Sequence, residues 1–142
     1  MARTRTDSFI LELKLKTSPA DVAYLEKCFS AGHSIYNILV RHCRGRIASL
    51  RQDQTYRELL AEYRTLQEGN ERKAVAERLK VLVAAYGLTE YSLHSFVKGQ
   101  QKKHKNYINS LVAQKIASSV WKGVEKVLYG NGKFLHFRKY TE

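Results

Sequence analysis

Residues 72–99 read RKAVAERLKVLVAAYGLTEYSLHSFVKG. Val75, Leu79, Leu82 and Val83 recur at the three- and four-residue intervals of one helix face. Gly87 closes that stripe, where the left-handed conformation that ends a helix is easiest for glycine. Thr89 then offers a side-chain oxygen to cap a second helix whose apolar positions are Leu93, Phe96 and Val97. The stretch predicts helices over about 71–86 and 90–101, joined by a tight turn.

The same punctuation extends outward. Tyr56, Leu59, Leu60, Tyr63 and Leu66 predict a helix over about 53–67, closed by Glu68-Gly69-Asn70. Ser18-Pro19-Ala20-Asp21 combines an N-cap residue, a proline at the first helical position and an acid beside the positive helix end. A helix therefore runs from Pro19 to about Cys43, with Val22, Leu25, Phe29, Tyr36 and Leu39 in one stripe and Gly32 interrupting it. Val112, Ile116, Val120, Val124 and Val127 predict a fifth helix over about 107–129, followed by a turn at Gly130-Asn131-Gly132. At the ends, SFILELKLK (8–16) alternates with period two and reads as a half-buried strand, as does KFLHFRKY (133–140). Phe134 and Phe137 fall on opposite faces of that second strand. The expected fold is mainly α, five helices flanked by two terminal β-strands. Two strands alone make a marginal sheet, so helices, further strands or a partner must cover their edges.

The chain has 142 residues, a size that suits one domain with a core of its own. Two cysteines, Cys28 and Cys43, exclude a disulfide framework and a four-cysteine zinc site, and both are expected in the core. No run of about 18 apolar residues is present. Arg3 and Arg5 precede an apolar stretch, but Glu12, Lys14 and Lys16 break it, which argues against a secretory leader and for the cytoplasm.

Twenty-five Lys and Arg against 13 Asp and Glu leave a net charge of +12. Such an excess attracts polyanions, nucleic acid first, because each neutralised phosphate releases counterions. A membrane surface is the weaker alternative, since the basic clusters lack a bulky apolar helix face beside them. A basic surface that only confers solubility is the plainest alternative. The charge is clustered. Residues 41–51 hold Arg41, Arg44, Arg46 and Arg51 with no acid, and residues 98–105 hold Lys98, Lys102, Lys103 and Lys105 with no acid. Arg3 and Arg5 at one end, and Lys133, Arg138 and Lys139 at the other, add to these. Residues 53–80 are nearly balanced. Tyr107, Phe137 and Tyr140 lie beside cations and are the candidates for stacking on unpaired bases, with core packing as the competing role.

Nothing in the sequence assembles catalysis. His33, His42, His94, His104 and His136 are scattered, without the spacing of a helical zinc site. No phosphate-cradling glycine loop is present. The acids lie among basic neighbours on helix surfaces, and no cofactor is implied. The 72–99 segment also has the punctuation of a helix-turn-helix, which would present Glu90, Tyr91, His94 and Ser95 to a major groove. A plain helical hairpin has the same punctuation, and no arginine stands ready to read guanine.

Taken in order, the first strand, GHSIYNILV (32–40), YGLTEYSLHSFVK (86–98) and NSLVAQKIASSVWKGVEKVLYGNGKFLHFRKY (109–140) resemble the N-terminal portion of the OrfB-type accessory transposases of insertion sequences. These TnpB proteins are RNA-guided nucleases related to type V CRISPR effectors. Tyr36-Asn37, Gln114 and the last strand carry most of the resemblance. It implies that 1–16 and 133–142 belong to a wedge-like β-barrel, here incomplete, and that 17–132 form a helical recognition lobe. It also implies that the RuvC-like nuclease domain and its zinc ribbon are missing, so the chain is expected to be a truncated or partial, non-catalytic product. Such a lobe contacts structured guide RNA, the RNA–DNA heteroduplex and flanking DNA, largely through shape and backbone. The expected phosphate contacts are Arg3, Arg5, Arg41, Arg44, Arg46, Lys98, Lys102, Lys103, Lys105, Arg138 and Lys139. A helix-turn-helix regulator and a non-functional relic of a transposase gene remain the alternatives.

Overall fold

Ser18 begins the helical body with a capping box. Its Oγ accepts the Asp21 backbone N–H at 3.2 Å, and the Asp21 carboxylate accepts the Ser18 N–H at 2.8 Å. The computed structural model describes residues 8–139. Helix α1 (Pro19–Gln52) spans 34 residues, about 50 Å of rise. It passes through Gly32 without a break. The side chains of Ile108 and Ile116 end 3.7 and 3.8 Å from where a Cβ would stand there, ordinary van der Waals contact.

Helices α2 (Gln54–Thr65) and α3 (Asn70–Ala85) form a hairpin, and α2 packs on α1. Helices α4 (Glu90–Lys103) and α5 (Ser110–Tyr129) form a second hairpin that packs broadly on α1. The buried stripe of α1 is Ala31, Ile35, Leu39, Val40, Cys43, Ile47 and Leu50. It meets Leu93 and Val97 of α4 and Ala113, Ala117, Val120 and Val124 of α5 in one apolar core. Phe96 stacks on His42 across the α1–α4 contact, with ring centres 4.0 Å apart. Burial, and then the nearby Arg46, hold the His42 pKa below its usual value. Burial alone pushes the Cys43 thiol up to about 12, so it behaves as a small apolar side chain.

Asp53 joins the α2–α3 hairpin to the spine. It ends α1 and caps α2, its Oδ1 accepting the Tyr56 N–H at 3.1 Å. Its Oδ2 accepts the Tyr86 hydroxyl at 2.6 Å, which fastens the far end of α3 to the α1–α2 corner. Gly87 follows with φ of +73°, a left-handed turn that a Cβ would strain.

Four expectations are corrected. No strand forms among the described residues. Residues 8–16 are extended but unpaired, and Phe9, Ile10, Leu11, Leu13 and Leu15 are all exposed, because no described neighbour supplies a ladder or an apolar face. The C-terminal segment is likewise unpaired, and it buries Leu135 while leaving Phe134 and Phe137 outward. Val22, Leu25 and Phe29 continue the apolar stripe of α1 but are exposed, since the other helices cover only its later part. Cys28 is half-buried for the same reason. The buried face of α5 is rotated from the expected one: Ala113 and Ala117 face the core and Val112 is exposed. Small residues let α4 and α5 approach closely, and that outweighs the pull of larger valines. No helix among the described residues is long and apolar enough to cross a membrane.

The Tyr86 hydroxyl, then the Tyr56 amide, hold the Asp53 pKa below the usual carboxylate value. A depressed carboxylate stabilises the fold above its unfolded pKa of about 3.9, and that contribution is lost as pH falls through the lower, folded value. Tyr86→Phe should therefore lower the melting temperature by a constant amount from pH 7 to 5. The gap to wild type should narrow below about pH 4, as read by circular dichroism melts across that range.

Candidate nucleic-acid interface

The last described segment lies along α1 and is gripped by side chains from it. Asn37 holds both backbone groups of Arg138: its Nδ2 donates to the Arg138 carbonyl at 3.0 Å, and its Oδ1 accepts the Arg138 N–H at 2.9 Å. One amide side chain thus supplies the pair of bonds that a neighbouring strand would make. Seven residues on along α1, Arg44 donates from Nε and Nη2 to the Leu135 carbonyl. The Arg44 guanidinium also covers the Phe137 ring at 4.5 Å, and the Arg138 guanidinium covers the Tyr36 ring at 4.2 Å. Leu135 is buried against Gly123 of α5, where a Cβ would stand 2.9 Å from its Cδ2. The segment is a strap across the α1–α5 seam, running back toward the start of α1.

This strap changes the standing of several expected contacts. Arg44 binds the chain's own carbonyl and ring, and Phe137 lies beneath it, so both are structural ties first. Tyr107 is half-buried with its ring 5.8 Å from that of Tyr24. Arg138 and Lys139 are exposed and line a cleft of about 470 Å³ with His33, Tyr36 and Tyr107. Arg41 and Arg46 are exposed on α1 but stand about 140° apart round the helix. They do not form one patch. Lys98, Lys102, Lys103 and Lys105 are exposed and gathered at the end of α4 and the turn after it. Lys102 and Lys103 also complement the negative end of that helix, a structural role that coexists with ligand binding. Arg3, Arg5 and Tyr140 lie outside the described residues.

Charge separates the two hairpins. Residues 54–85 hold five acids among six Lys and Arg. Residues 27–52 and 91–124 hold no acid, with five and six cations respectively. These acid-free stretches are the body of α1 and nearly all of α4 and α5, which pack together. Among the described residues only Lys80–Glu77, at 3.3 Å, pairs a Lys or Arg with a carboxylate, and both partners are exposed. The cations of the α1–α4–α5 body carry no internal countercharge.

Glu90, His94 and Ser118 meet where α4 starts along α5. Ser118 Oγ donates to Glu90 at 2.9 Å and lies 3.0 Å from His94 Nε2, which is itself 3.7 Å from Glu90. The carboxylate sits on the Nε2 side, away from Nδ1. The trio ties two helices and lacks the relay of an activated serine. Glu90 and His94 are thereby held toward α5, and α4 packs on α5 and α1, which disfavours a helix-turn-helix recognition helix carrying those two residues. No group of three or more His, Cys, Asp or Glu among the described residues is placed to hold a metal ion.

Two exposed aromatics stand among cations without having been chosen as stacking residues. Phe134 lines one cleft with Arg44, Arg51 and Lys133, and Tyr91, 83% exposed, lines another with Lys98 and Lys102. Tyr91 reads in the sequence as an outward position of a recognition helix, and its seven-residue spacing from Lys98 on one helix face is the signal that marks it. Comparison with protein-family models, with curated proteins and with solved structures finds no match to this chain.

Asn37→Ala removes both bonds to Arg138, about 1–3 kcal/mol of local anchoring. Trypsin should then cut after Lys133, Arg138 and Lys139 roughly 5- to 100-fold faster than in wild type, with the helical body intact by circular dichroism and mass spectrometry reading the products.

Proposed function

We propose that this chain is a non-catalytic nucleic-acid-binding lobe of the TnpB/OrfB type, with structured RNA, an RNA–DNA heteroduplex or its flanking DNA as the ligand, acting in the cytoplasm. The observation that carries this reading is the acid-free body of α1, α4 and α5, whose Lys and Arg side chains find no carboxylate partner among the described residues. A surface of that kind attracts phosphates through counterion release and steers them from a distance. The sequence resemblance supports the family. The segments that carry it, Tyr36-Asn37 and FLHFRK, touch one another through two hydrogen bonds and a cation–ring contact. A contact of that kind gives both segments one shared task.

Within this reading, residues 17–132 are the lobe, and the strap and the 8–16 segment are parts of a wedge-like β element. The alternating apolar side chains of 8–16 and the bare start of α1 are then the faces that further strands would cover. Arg41, Arg46, Lys98, Lys102, Lys103, Lys105, Arg138 and Lys139 are the phosphate contacts, and Arg3 and Arg5 are assigned the same role from the sequence. Arg44 serves chiefly to hold the strap.

The test is a salt titration of binding to a structured RNA, read by fluorescence anisotropy. Each cation that meets a phosphate adds about 0.7–0.9 to the slope of log affinity on log salt. Lys102→Ala/Lys103→Ala/Lys105→Ala should lower that slope by about 2–3, while Lys73→Ala/Lys80→Ala on α3 should leave it unchanged. An equal slope in the first variant overturns the assignment of that cluster. Failure of the wild-type chain to bind RNA or DNA overturns the function.

A further inference from the structure

The cleft between α4 and the start of α5 has the composition of a site for a single base. Tyr91, Ser95, Lys98 and Lys102 follow one another at intervals of four, three and four along α4, so they share one face about 16 Å long. Gln114 of α5 stands opposite, and Ala113 and Val97 make an apolar floor. The cavity is about 400 Å³, within the range of small-ligand sites. Gln101 donates to the Ile108 carbonyl at 2.8 Å and pins the connecting loop that closes one end. Tyr91 is 83% exposed, so its ring supports no packing in the fold. No acid occurs from Tyr91 to Val124, and the nearest one, Glu90, is engaged by Ser118.

We propose that this cleft holds one unpaired nucleotide of a bound single strand. Tyr91 stacks on the base, the Gln114 amide meets its polar edge as donor and acceptor, and Lys98 and Lys102 take the flanking phosphates. An aromatic face, an amide and two cations four residues apart match the three parts of a nucleotide. Acidic side chains of a peptide would meet the cations but offer no aromatic face to the Tyr91 ring. A duplex keeps its bases stacked and cannot enter. The inference rests on the nucleic-acid reading above and adds to it a preference for unpaired strand.

The experiment uses the full chain and a short single-stranded RNA carrying 5-iodouridine, with anisotropy for affinity and photocrosslinking followed by mass spectrometry for position. Expected are crosslinks on the tryptic peptide that contains Tyr91, a loss of about 5- to 100-fold in affinity for Tyr91→Ala, and near wild-type affinity for Tyr91→Phe. The salt slope stays unchanged in both variants, because neither alters a cation. Tyr91 is 83% exposed and buries little surface, so the alanine variant remains folded, as circular dichroism would verify. Wild-type affinity for Tyr91→Ala, with crosslinks elsewhere, overturns the cleft assignment and leaves nucleic-acid binding standing. No RNA or DNA binding by the wild type overturns both. Displacement of the RNA by polyglutamate as readily as by unlabelled RNA assigns the cleft to any polyanion and overturns the base site.

Discussion

Helix α1 is buried along one stripe from Ala31 to Leu50 and nearly bare before it, and this uneven burial organises the molecule. Each fully buried aliphatic side chain in that stripe contributes about 1.5–3 kcal/mol, so the later two-thirds of α1 bind the other helices firmly. The two hairpins reach it through different chemistry. The α4–α5 pair uses close apolar contact, with Ala113 and Ala117 buried in it. The α2–α3 pair hinges on Asp53, a carboxylate that caps one helix and receives the tyrosine that closes another.

The same helix also carries the strap. Tyr36, Asn37 and Arg44 project from it to meet residues 135–138, so a segment with no ladder partner is still held through its backbone. An extended chain has two unsatisfied groups per residue, and an asparagine or arginine side chain can answer them at single points. This accounts for a segment with strand-like sequence lying ordered without a sheet. It also explains why Arg44, adjacent in sequence to other exposed arginines, has a different task. Its length and forked guanidinium suit a carbonyl and a ring at once.

Electrostatics divides the fold along the same line as packing. The α2–α3 hairpin alternates charge and is self-compensating, whereas the acid-free stretches 27–52 and 91–124 of α1, α4 and α5 concentrate cations that pair with no carboxylate among the described residues. Self-repulsion in that body weakens the fold slightly, and a bound polyanion would relieve it. A site placed on α4 and α5 stands on two helices locked to each other and to α1. It is therefore rigid enough to position a stacking ring and an amide.

Most helix boundaries were legible from local chemistry because caps and turns are decided within a few residues, but α1 runs to Gln52, well past the end expected near Cys43, because its stripe stays buried through Leu50. Ser18, Asp53, Thr89 and Gly87 act where the sequence places them, and α2, α3 and α4 end close to where their punctuation predicts. The charge clusters were legible for the same reason. Other features depended on which surfaces meet. Periodicity marks an apolar face without saying whether anything covers it, so Val22 and Phe29 read as core and stand exposed. A two-residue alternation likewise marks a strand without supplying its ladder. The roles of Asn37 and Arg44, the rotated face of α5 and the setting of Tyr91 all come from contacts between residues distant in the chain. Those contacts exist only once the helices have packed, since burial and hydrogen bonding across 101 residues of separation are properties of the assembled fold.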